Sequence, residues 1–96
     1  MPVLAIDLQD GFFGDDVVFR VNGEQARTEP GVRTKRTLGK AKSLEIEIPD
    51  GNVTLEVEVP TKGIAGKTEI HHKFLGVSIA GKDVQFIPSD NEFGYG

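Results

Sequence analysis

Leu44-Glu45-Ile46-Glu47-Ile48-Pro49-Asp50-Gly51-Asn52-Val53-Thr54-Leu55-Glu56-Val57-Glu58-Val59 is the stretch on which the fold turns. Both arms alternate apolar with polar, mostly acidic residues, and a period of two is what a strand with one dry and one wet face requires. Between the arms, Pro49 fixes φ, and Asp50, Gly51 and Asn52 tolerate the left-handed backbone of a tight reversal. The pattern predicts a β-hairpin at the centre of one sheet. Leu44, Ile46, Ile48, Val53, Leu55, Val57 and Val59 then face a core, each contributing roughly 1.5–3 kcal/mol when fully buried. On the wet face Glu45, Glu47, Glu56 and Glu58 would crowd like charges across neighbouring strands, which is destabilising unless cations lie alongside. Arg33 and Lys35, just upstream, are the expected complement, with a basic partner as the other possibility.

Outward from this stretch the same period recurs. Val3–Leu8 reads as a first strand with Leu4, Ile6 and Leu8 on one face. Residues 9–16, in which Gly11 and Gly14 bracket Phe12 and Phe13, read as a loop. Residues 17–21 form a second strand with Val17, Phe19 and Val21 inward, ended by the turn pair Asn22-Gly23. A weaker strand over 24–28 meets a turn at Pro30-Gly31, and 32–38 is an amphipathic, edge-like strand ended by Gly39. Beyond Val59, residues 60–67 read as a polar loop and 68–74 as a strand. Residues 75–79 and 84–87 form a second hairpin across Ala80-Gly81-Lys82-Asp83. Seven or eight short strands without a helical period predict an all-β, antiparallel two-sheet β-sandwich, with a small closed barrel as the alternative.

The bulk numbers suit this class. A chain of 96 residues is one domain, here 1–96, and 12 glycines with 5 prolines favour short strands and frequent turns. There is no cysteine, which excludes disulfides, thiol nucleophiles and thiolate metal sites. No apolar run approaches the ~18–20 residues of a helical membrane span. The N-terminus lacks a basic region and reaches Asp7 too soon for a signal peptide, so the expectation is a cytoplasmic protein or a domain excised from an exported one. A net charge of −4 argues against a general nucleic-acid binder. The charge is uneven: residues 20–42 hold seven basic and two acidic side chains, a local balance of +5.

From Thr34 to Val59 a Thr-bearing strand, a turn at Gly39, a further strand and then Ile48-Pro49-Asp50-Gly51-Asn52-Val53-Thr54-Leu55-Glu56-Val57 follow in order. This arrangement resembles the prealbumin-like sandwiches, the transthyretin and carboxypeptidase-regulatory-like modules, in which a Pro/Gly turn precedes a Thr-Leu-x-Val strand. An Ig-like sandwich is the neighbouring possibility. The family includes a urate-pathway hydrolase that relies on an N-terminal His and a C-terminal Tyr-Arg-Gly-Ser. This chain has neither, ending Phe93-Gly94-Tyr95-Gly96. The resemblance therefore implies a binding or accessory module rather than that hydrolase.

Four groups of residues are candidates for function. Asp10, Asp15 and Asp16 lie in a glycine-bearing loop that could supply oxygen ligands to Ca²⁺, and Asp90, in the oxygen-rich stretch 89–92, could share the ion if both loops fall at one sandwich end. The spacing is not that of an EF-hand, and sandwich-end loops are commonly rich in Asp and Gly for turn reasons alone. His71 and His72 are adjacent and so point to opposite faces of a strand; both on one ion would need a bulge. The expected picture is a surface His71 and a partly buried His72, which as a general base would lack an identified partner. Phe12, Phe13, Phe93 and Tyr95 fall outside the regular alternation, either plugging the ends of the sandwich or forming a contact patch. Arg33, Lys35, Arg36, Lys40 and Lys42 could receive an acidic partner. RNA is disfavoured because no aromatic residue is interleaved among them.

With no reactive constellation in view, the sequence points to a non-enzymatic interaction or assembly module. It would bind another protein, or itself through edge strands, by way of Phe12, Phe13, Arg33, Lys35, Arg36 and Tyr95. The alternative is Ca²⁺-assisted small-ligand or glycan binding, and after it a small hydrolase using His72.

Overall fold

A computed structural model describes residues 2–35 and 39–93. Eight strands follow in order: β1 (Val3–Leu8), β2 (Phe13–Val21), β3 (Glu24–Arg33), β4 (Lys42–Glu47), β5 (Thr54–Val59), β6 (Ile64–Glu69), β7 (Phe74–Ala80) and β8 (Asp83–Ser89). They form two four-stranded sheets of order β4-β1-β7-β8 and β3-β2-β5-β6. The second sheet is antiparallel throughout. The first is mixed, because β1 runs parallel to β7 while β4 and β8 lie antiparallel to their neighbours, which corrects the expectation of a wholly antiparallel sandwich. The sheets do not close, so the fold is an open two-sheet β-sandwich and not the barrel.

The stretch from Leu44 to Val59 behaves as expected on its dry side and differently on its wet one. All seven predicted core residues are buried. Yet the two arms do not pair with each other: β4 pairs with β1, and β5 lies in the opposite sheet between β2 and β6. The Pro49-Asp50-Gly51-Asn52 turn is therefore an arch across the core. Ile48 stays with the first sheet by donating its N–H to the Pro2 carbonyl at 2.9 Å, while the Val53 carbonyl accepts the Ile70 N–H at 2.9 Å in the second. A period of two is identical for two strands side by side and for two strands facing each other across a layer of about 10 Å, so alternation alone does not separate the cases.

The arch separates the glutamates. Glu45 and Glu47 lie opposite Ala5 and Val3 on the outside of one sheet, while Glu56 and Glu58 lie on the outside of the other. The cation beside the second pair is Arg20, 3.0 Å from Glu58 and 3.6 Å from Glu56, and not Arg33 or Lys35. Four further expectations are corrected. The strand β2 starts at Phe13, inside the expected loop, and β3 runs through Pro30-Gly31 with register irregularities against β2. The strand β6 occupies the second half of the expected loop 60–67, and the expected strand 68–74 is broken where the chain crosses from β6 to β7. The hairpin of β7 and β8 is as predicted.

Edges β3 and β4 lie along one side of the sandwich, β6 and β8 along the other. The first seam is shut by charge. Glu29 on β3, 5% exposed, receives Arg27 Nε at 2.6 Å and Lys42 Nζ of β4 at 2.7 Å, and Arg27 Nη1 also donates to the Glu45 carbonyl at 3.3 Å. The Lys42 hydrogen bond, joined by those and the charge of Arg27 and Lys42 and opposed by burial, holds the Glu29 carboxyl below its ordinary 4.5. The second seam is apolar: Gly66 of β6 lies against Val84 and Phe86 of β8, and Ile64, Val84 and Phe86 stay only half-buried.

Candidate functional site

Phe12 and Phe13 stand at the entry to β2 and have opposite fates, one fully buried and the other 65% exposed. The cause is the clamp on the preceding loop. Thr34 Oγ1 donates to the Gln9 carbonyl at 2.6 Å and accepts the Phe12 N–H at 3.1 Å, while the Thr34 N–H donates to the Phe12 carbonyl at 2.8 Å. On the other flank the Ile79 N–H donates to the Asp10 carbonyl at 2.8 Å. Gly11, at φ +91°, passes so close to the Ile79 carbonyl that a Cβ there would collide with it. With the loop held on both sides, Phe12 drops into the core, and Phe13 turns out although Asp15, two residues on, is buried, because the pairing with β3 shifts register between Phe13 and Asp15.

What surrounds Phe13 comes from three elements. Arg33, at the end of β3, is its cross-strand partner. Gly14, at φ +81°, leaves room for the Arg33 guanidinium, whose Nη2 would stand 3.3 Å from a Cβ at that position. From the β5–β6 turn, Lys62 places Nζ 5.3 Å from the centre of the Phe13 ring, within cation–π range. Lys35 is exposed just past Arg33, held by a backbone bridge to Lys40. Neither Arg33 nor Lys35 makes an ion pair among the described residues.

Asp15 underpins this surface. Its side chain follows Val17 and Phe19 inward and is 5% exposed. It accepts the Phe13 N–H at 2.8 Å and the Thr61 hydroxyl at 2.7 Å, and its Oδ2 lies 3.2 Å from Lys62 Nζ. Burial pushes the carboxyl up, but the hydrogen bonds from Phe13, Thr61 and Lys62 and the Lys62 charge outweigh it and hold Asp15 below its ordinary 3.8. An ionised Asp15 thus fixes Lys62 over the ring.

The calcium candidates are not brought together. Asp15 is committed to the contacts just described, and Asp16, on the outward side of β2, accepts the Gly31 N–H at 3.1 Å. Asp10 lies beside Ile79, at one end of β7, whereas Asp90 follows Ser89, which pairs with Phe74 at the other end of that strand. The two oxygen-rich loops therefore sit at opposite ends of the sandwich. Among the described residues no three His, Asp or Glu side chains are grouped to hold a metal ion.

At the end that holds Asp90, His72 Nδ1 stands 2.7 Å from Asp90 Oδ1 and His71 Nε2 3.3 Å from Glu69 Oε2. His72 is exposed, its side chain at 39%, and not partly buried as expected. An open groove of about 620 Å³ crosses the outside of β4, β1 and β7, walled by Val3, Ala5, Glu45, Phe74 and Phe93. Neither His72 nor Phe13 lines it. Arg36 and Tyr95 lie outside the described residues.

Sequence reasoning missed Lys62 and Thr61, placed in a loop with no signal beyond Pro60, and it missed the Arg27–Glu29–Lys42 bridge. Each depends on residues far apart in the chain. The lack of an aromatic among the cations was one ground against RNA beside the net charge of −4, and folding removes that ground by placing Phe13 between Arg33 and Lys62. The fold defines the class, an open two-sheet β-sandwich. Beyond that class, no family model, curated protein or solved structure matches the chain.

Proposed function

We propose that the chain is a non-enzymatic interaction module that docks another protein, taking an acidic segment of its partner on the surface made by Phe13, Arg33, Lys35 and Lys62. One observation carries this reading: Phe13 is 65% exposed, with Lys62 over its ring and Arg33 across the strand pair. A large aromatic held in water by a clamped loop, beside Arg33 and Lys35, which make no ion pair among the described residues, is the composition of an interface hot spot. The resemblance of residues 34–59 to prealbumin-like binding modules points the same way, with an Ig-like sandwich as the other finer description. A protein is favoured over RNA because the net charge is −4 and Arg20, Arg27 and Lys42 are already paired with glutamates. Self-association through an edge strand is the second part of the proposal.

The test is fluorescence anisotropy with a labelled Glu/Asp-rich peptide carrying one aromatic residue. Binding that weakens with salt, and by about tenfold (~1.4 kcal/mol) in Phe13→Ala and in Arg33→Glu, supports the reading. Absence of binding, an unchanged affinity in Phe13→Ala, or tighter binding of a single-stranded oligonucleotide than of the peptide would overturn it.

A further inference from the structure

The four edge strands are not equally open to a partner. On β3 the register shifts repeatedly and Pro30 lacks an N–H. On β4 the Arg27 guanidinium already occupies the Glu45 carbonyl, and β8 carries Pro88. Irregularity, proline and capping charge are the usual guards of a sheet edge. By contrast β6 has none of the first two: residues 64–69 pair with β5 in unbroken register, without a proline.

The direction of its free backbone groups follows from that register. The Ile70 N–H donates to the Val53 carbonyl, which makes that opposed pair a hydrogen-bonded one. Opposed pairs alternate between bonded and non-bonded, so Ile64, Gly66 and Thr68 spend their backbone groups on β5. Ala65, Lys67 and Glu69 then aim theirs at the open edge. Among the described residues the Glu69 carbonyl there receives only the Thr68 hydroxyl, at 3.3 Å.

We infer that β6 is a homodimerisation edge, on which a second copy of this chain adds its own β6 antiparallel about a two-fold axis at Thr68. Charge selects the register. A two-fold at Thr68 sets Lys67 of each copy opposite Glu69 of the other, twice, on the exposed face. A two-fold at Lys67 would oppose the two lysines, and one at Gly66 would leave Lys67 facing Ala65. The same register sets Ile70 of each copy opposite Gly66 of the other, beside the half-exposed Val84 and Phe86 of the open seam. This deepens the self-association part of the proposed function and is independent of docking at Phe13, which lies on β2.

The test is light scattering across a wide concentration range on the wild type, Lys67→Glu, and the exchange Lys67→Glu with Glu69→Lys. The expected result is a rise to twice the chain mass in the wild type, loss of that rise in Lys67→Glu, and its return in the exchange variant. In that register Thr68 meets Thr68 at a non-bonded pair with Cα atoms about 4.5 Å apart, within disulfide reach. The chain has no cysteine of its own, so Thr68→Cys should give one covalent dimer on a non-reducing gel. A wild type monomeric throughout, or association indifferent to Lys67→Glu, overturns the inference, as does failure of the exchange to restore it. Peptide binding measured on the same variants stays unchanged, so loss of the dimer with binding retained removes this inference and leaves the docking surface standing.

Discussion

The two seams of the sandwich solve the same problem with different chemistry. Along β3 and β4 a buried glutamate ties the sheets together through Arg27 and Lys42. Along β6 and β8 the sheets meet through Gly66, Val84 and Phe86, with apolar surface left half in water. A charged seam is directional: Glu29 accepts specific donors, Arg27 reaches on to the Glu45 carbonyl, and the edge is occupied. An apolar seam has no such direction, and its stability grows with any further surface that covers it. The β3–β4 side is closed by its own side chains, whereas the β6–β8 side leaves apolar surface in water.

Substitutions on each side break that contrast to different extents. The largest effect is expected from Glu29→Ala. Removing one partner of a buried charge pair commonly costs ~3–5 kcal/mol, and because Arg27 and Lys42 can turn to water the lower end applies, about 3 kcal/mol in a urea melt. On the open side Phe86→Ala should cost about 2 kcal/mol, below the ~3–5 of a fully buried Phe, and it should weaken the proposed dimer as well as the fold.

Acid should distinguish the seams more finely. The folded Glu29 and Asp15 carboxyls lie below their ordinary values, so their contribution is complete above the unfolded values and is lost as pH falls through the lower folded ones. Thermal melts should therefore be flat above about pH 5 and drop below about pH 4. In Glu29→Gln the drop should be shallower, with only the Asp15 share remaining, while Phe86→Ala should keep the full slope. The smallest effect on stability belongs to Phe13→Ala, within about 0.5 kcal/mol for an exposed site, although peptide binding should fall tenfold. A large loss of stability there would mean that the ring supports the fold rather than a partner.

Much of the core was legible because inward direction is a local property. Leu4, Ile6 and Leu8, Val17 and Phe19, and the seven residues between Leu44 and Val59 were all assigned inward from alternation, and all are buried. The candidate site was legible in part. Phe13, Arg33 and Lys35 were singled out as residue types without a place in the core, but nothing local distinguished Phe13 from Phe12. That distinction rests on Thr34, Gly11 and Ile79, which meet only once the sheets are stacked.

An all-β chain, most of its core-facing residues and its reversals at Asn22-Gly23, at 49–52 and at Gly81-Lys82 were readable from the sequence alone, though the turn expected at Pro30-Gly31 lies within β3. Those follow from a period of two and from the φ preferences of Gly, Pro, Asn and Asp. That the reversal at Pro49-Asp50-Gly51-Asn52 is an arch between sheets, that β1 and β7 run parallel, and which charges meet were settled by the packing of the two sheets. Strand pairing and side-chain contact join residues distant in sequence, and a local pattern satisfied equally by a neighbour in the same sheet and a neighbour across the core cannot choose between them.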